Sequence, residues 1–104
     1  MMNIDVDASH WRAPLDFYEA LLAALHAPDW HGRSVDALID SIIIGSINDV
    51  KPPYRVVVTG LDNASVLAAD EVRYTFEMLS AAGANIEITP VSAVLEIIRT
   101  ETGS

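Results

Sequence analysis

The chain has 104 residues, 51% of them apolar, with 15 Asp and Glu against 6 Lys and Arg for a formal charge of -9. This length suits one compact core and is too short for a second, so residues 1–104 are expected to form a single domain with its core within about 2–89. The charge argues against direct contact with nucleic acid or an anionic membrane and favours a cationic partner, and the absence of cysteine excludes disulfides, thiolate metal sites and a cysteine nucleophile.

The first residues carry no basic stretch followed by an apolar one, and nowhere does an apolar run reach about 18 residues, so neither export nor membrane insertion is expected and a cytoplasmic address is the simplest. Alternation over residues 2–6 predicts a first strand with Ile4 and Val6 on one face. Residues 9–13 read as a connection. Pro14 suits a first helical position, where its missing N–H costs nothing, and Leu15, Tyr18, Leu21, Leu22 and Leu25 recur at helical spacing. Ala27-Pro28 ends that helix.

Pro28-Asp29-Trp30-His31-Gly32-Arg33 has no period and reads as an ordered loop. Ser34 is a good N-cap for a second helix, in which Val35, Leu38, Ile39, Ile42 and Ile43 form an apolar stripe up to Gly45. Beyond Pro52-Pro53, the run Tyr54-Arg55-Val56-Val57-Val58-Thr59 predicts a central strand buried on both faces. Residues 64–82 read as a short and a longer helix meeting near Asp70, with Gly83 as a left-handed cap. Residues 85–89 alternate as a third strand that stops at Pro90. Val91, Val94, Leu95 and Ile98 then form a helical stripe, predicting a terminal helix over about residues 91–100. The sum is an α/β fold, a small three-stranded parallel sheet packed with about four helices plus a C-terminal one.

Asp36 and Asp40 are the residues most suited to chemistry of recognition. Four apart on one helix, they share a face at a mutual cost of about 0.2–0.5 kcal/mol. The pair is explained either by Asp36 meeting the positive helix end while Asp40 is solvated, or by a rigid carboxylate pair that imitates two RNA phosphates and captures the cationic residues of a nuclease. Trp30, just before the helix, either plugs the core or stands out as a contact anchor. His10, His26 and His31 follow no metal-ligand spacing, and no nucleophile elbow, phosphate loop or dinucleotide fingerprint is present, so neither metal nor cofactor is expected.

The stretch from Pro28 to Asp40 resembles the most characteristic segment of the barstar family: Pro, an acidic residue, two aromatics, Gly, two polar residues, an aliphatic residue, then Asp-Ala-Leu, an apolar residue and Asp. Pro28, Gly32, Asp36-Ala37-Leu38 and Asp40 match, with Trp30 and His31 in the aromatic pair. The resemblance implies a small parallel sheet packed with helices that plugs the active site of an extracellular ribonuclease inside the producing cell. It implies Asp40 as the carboxylate entering that site, Asp36 as its acidic partner, Trp30 as the anchor, and Ser34 and Ile39 on the contact face. Ile39 stands where the family's best-known member has Trp, and Met78, with Glu77 adjacent, stands where that member has an acidic residue.

The leading expectation is thus an inhibitor, not an enzyme, of a basic ribonuclease or nuclease-type toxin. The rival expectation is a regulatory or interaction module of the same fold that self-associates through Ile39, Ile43 and Ile44. An enzyme using Asp36 and Asp40 as acid and base ranks third, because it needs a concave pocket.

Overall fold

The computed structural model describes residues 1–45 and 48–98. Strand β1 (Met2–Asp7) leads to α1 (Pro14–Ala24), then to α2 (Val35–Leu38), which runs on as a π-helical turn over Ile39–Ile44. Strand β2 (Tyr54–Thr59), a 3-10 turn (Leu61–Asn63), α3 (Val66–Ala81), β3 (Asn85–Ile88) and β4 (Ala93–Ile97) complete the order.

The local chemistry sets most of these boundaries. Asp16 accepts the backbone N–H groups of Arg12 at 2.8 Å and Ala13 at 3.0 Å, so α1 starts behind a carboxylate that ties down free donors. Those two N–H bonds hold the Asp16 carboxyl below its ordinary 3.8. Ser34 and Ser65 cap α2 and α3, each accepting a backbone N–H three residues on at 3.1 Å. Helix α3 is one unbroken element rather than two meeting at Asp70, since no Gly or Pro interrupts the chain between Ser65 and Ala82. Gly83 follows it at φ 125°, a conformation that side chains disfavour, and serves as the expected C-terminal cap.

The sheet has four strands in the order β1-β2-β4-β3. Strands β1 and β2 are parallel, with Ile4 opposite Val56 and Val6 opposite Val58. Strand β4 is antiparallel to both β2 and β3, so β1, β2 and β3 do run in one direction, but β4 separates the last two. This corrects the expected three-stranded parallel sheet and the expected terminal helix. Val91, Val94, Leu95 and Ile98 fit a helical stripe, yet Ala93, Leu95 and Ile97 also alternate, and pairing on both sides by β2 and β3 settles the segment as a strand. The end of the expected helix, residues 99–100, lies outside the described residues. Thr89 shapes the hairpin into β4: its hydroxyl accepts the N–H groups of Val91 and Ser92, and its own N–H donates to the Ser92 carbonyl at 2.9 Å.

Strand β2 is buried on one face only. Tyr54, Val56 and Val58 point into the core, whereas Arg55 and Thr59 are exposed and Val57 is half-buried. The core therefore lies between one face of the sheet and the helices, where Phe17, Leu21 and Leu25 of α1 and its end meet Val72, Phe76 and Leu79 of α3. Burying each such side chain contributes about 1.5–3 kcal/mol. Trp11, from the stretch read as connection, joins them, its ring 5.8 Å from that of Phe17. Tyr18 and Glu71 add a hydrogen bond between α1 and α3, and Thr75 lies 3.2 Å from the same phenol. On the open face Arg55 reaches Glu96 on the neighbouring strand at 2.7 Å, an exposed pair of small energetic weight.

Candidate functional site

Between α1 and the sheet's second strand the chain forms a region of a different character. His26, in a left-handed conformation at φ 54°, turns it away from α1, and the loop through Trp30 returns it to the start of α2. Gly32 lies so close to α2 that a Cβ there would sit 3.3 Å from that of Ala37, so the absence of a side chain lets the loop rest on the helix.

Trp30 is 74% exposed, which resolves its two sequence readings in favour of the surface. Asp36 and Asp40 are exposed as well, and among the described residues neither has a salt-bridge partner. The nearest cation in sequence, Arg33, turns the other way: its guanidinium lies 3.7 Å from Glu19 on α1 and donates to the His31 carbonyl at 3.1 Å. Trp30, His31, Gly32, Ala37 and Asp40 line a shallow cleft of about 90 Å³. The fold thus brings Trp30 and Asp40 to one cleft, while Asp36, Ser34 and Ile39 lie on the same short helical segment outside its lining. Ser34 is engaged as the cap, and Ile39 is half-buried against the core. Glu77 and Met78 are exposed on α3.

Asp40 belongs to the π-helical turn, in which the Gly45 N–H donates to the Asp40 carbonyl at 3.0 Å, five residues back. Such turns are found frequently at functional sites because they place an extra residue in the helical ladder.

Behind the cleft lies a hydrogen-bonded group of polar residues, of which only His31 belongs to the sequence motif. His31, Ser41 and Asn48 are all buried. The Gly32 carbonyl, 2.6 Å from His31 Nδ1, can only accept, so Nδ1 carries the hydrogen. Nε2 is 2.7 Å from the Ser41 hydroxyl, whose oxygen accepts from the Asn48 side-chain amide at 3.2 Å. No spacing rule marks these three residues, because their partnership is tertiary. The described residues contain no group of three His, Asp or Glu placed to hold a metal ion, and no helix among them is long and apolar enough to cross a membrane.

No curated protein and no solved structure matches the chain. The family model described as "Barstar (barnase inhibitor)" matches residues 1–97, nearly all of it. Proteins of that family are inhibitors and not enzymes, which removes the acid–base reading of Asp36 and Asp40, and membership implies a barnase-type ribonuclease as the partner. This protein belongs to the barstar family.

Proposed function

We propose that this chain inhibits a basic ribonuclease, or a nuclease-type toxin, by seating the Trp30 loop and the start of the second helix in its active site, inside the cell that makes the nuclease. The observation that carries the reading is the cleft shared by the exposed Trp30 ring and the exposed carboxylate of Asp40, on a chain of charge -9. Asp40 occupies the place of an RNA phosphate among the nuclease's cationic residues. Asp36 supplies the second charge of the mimic, Trp30 covers apolar surface beside it, and Ser34 and Ile39 complete the contact. Among the described residues neither Asp36 nor Asp40 is tied to a cation, and the field of the two carboxylates steers a basic partner towards the cleft. No cofactor takes part.

The rival reading, self-association through Ile39, Ile43 and Ile44, has less support. Ile39 and Ile43 pack partly against the core, and the side chain of Ile44 lies outside the described residues.

The test is inhibition of barnase and a panel of other small basic ribonucleases by the wild type and by Asp40→Ala, at two salt concentrations. Asp40→Ala should weaken binding by about 2–5 kcal/mol, because it strands a desolvated cation on the partner. Association of the wild type should slow as salt shortens the electrostatic reach to about 8 Å at physiological ionic strength. Unchanged affinity of the variant would move the contact away from this cleft, and no binding to any nuclease would favour the interaction module.

A further inference from the structure

We infer that His31 is the positioning residue of this face, its buried hydrogen bond to Ser41 setting the spacing between Trp30 and Asp40; this rests on the reading of the cleft given above. His31 is only 3% exposed although it sits next to Trp30, which is 74% exposed. Its backbone N–H donates to the Pro28 carbonyl at 3.0 Å and its carbonyl accepts from Arg33 at 3.1 Å. With the ring bonds to the Gly32 carbonyl and the Ser41 hydroxyl, all four of its polar groups are engaged.

The geometry assigns these bonds a task beyond filling space. His31 follows Trp30 and Ser41 follows Asp40, so a 2.7 Å bond between their side chains couples the backbones that carry the two cleft residues. Asn48 extends the tie to the segment after the π-helical turn through its 3.2 Å bond to Ser41. An apolar side chain would occupy the same volume without the desolvation cost that a buried polar group carries, but apolar packing tolerates sliding. Directional bonds fix both the loop's distance and its rotation relative to the helix. A face ordered before encounter spends less of its interaction energy on ordering during binding, and that gain is felt chiefly in slower dissociation.

Two variants and two measurements test this in the full chain. Ser41→Ala removes the hydroxyl and leaves Asp36, Asp40 and the net charge untouched. Its complex with barnase should dissociate at least about tenfold faster, with association within about twofold of wild type, since steering depends on charge. In the free protein, amide exchange at residues 30–32 should quicken by at least about tenfold while α3 amides keep their rates. His31→Gln, whose side-chain amide can still reach Ser41, should stay within about threefold of wild type in both measurements.

Unchanged exchange at residues 30–32 in Ser41→Ala would overturn the inference. So would equal acceleration in α3, which marks a part of the general core. Failure of the wild type itself to bind barnase would instead count against the inhibitor reading for that nuclease, while the exchange rates would still decide whether His31 holds the loop.

Discussion

The two tryptophans lie in regions held together by different forces. Trp11 is buried beside Phe17 in a slab where helices α1 and α3 press on one face of the sheet, and Phe17 and Phe76 have no exposed surface at all. Trp30 stands mostly in solvent on a loop joined to a short helix by the His31, Ser41 and Asn48 bonds and by the close seat of Gly32 on Ala37. The slab gains stability in proportion to apolar area and tolerates small shifts, whereas the loop gains little from burial and depends on direction. The difference explains how a chain can keep a large aromatic ring and two carboxylates exposed side by side: the slab carries the stability and the loop carries the presentation.

Alanine at each tryptophan gives the widest separation of the two regions. Trp11→Ala should cost about 3–5 kcal/mol in chemical unfolding, while Trp30→Ala should shift stability by less than about 0.5 kcal/mol and show its effect in nuclease binding alone. A comparable loss of stability from both would mean that the loop is part of the cooperative core.

Ser34→Ala tests the boundary between the regions. The residue caps α2 through the Ala37 N–H, and its removal should cost about 1 kcal/mol, read as a lower urea midpoint. Exchange should rise first at residues 35–38 and leave α3 protected, if the two regions open separately.

The smallest effect is confined to the slab and to alkaline pH. Burial, and then the hydrogen bond to Glu71, push the Tyr18 phenol up to about 12 from its ordinary 10. The folded state therefore holds this proton more tightly than the unfolded chain. Its contribution is complete below pH 10 and is lost as pH rises from 10 towards 12. Burial acts in the same direction on Tyr54. The urea midpoint of the wild type should fall over that interval, and Tyr18→Phe should remove part of the fall without altering the exchange of the Trp30 loop.

Much of the slab was legible in residue order. Pro14, Ser34 and Gly83 mark helix ends by backbone chemistry that acts over one turn, and Tyr18, Leu21, Leu22 and Leu25 were all buried as their spacing required. Leu15 was not, being half-exposed at the start of α1. The cleft was legible in part. Asp36 and Asp40 follow from helical spacing and Trp30 from its place in the loop, but its exposure depended on what else would cover it. The His31 network was invisible, because hydrogen bonds between residues 31, 41 and 48 leave no periodic trace.

The sequence by itself determined the cap positions, the apolar stripe of α1 from Tyr18 to Leu25, the acidic charge and the motif from Pro28 to Asp40, because each depends on neighbours within a few residues. Only the tertiary structure decided that residues 93–97 form a strand, that β2 is covered on one face, and that His31 turns inwards while Trp30 turns out. A short apolar segment fits helix and strand alike until another strand offers its free N–H and C=O groups. A polar ring is buried only where distant residues supply its partners.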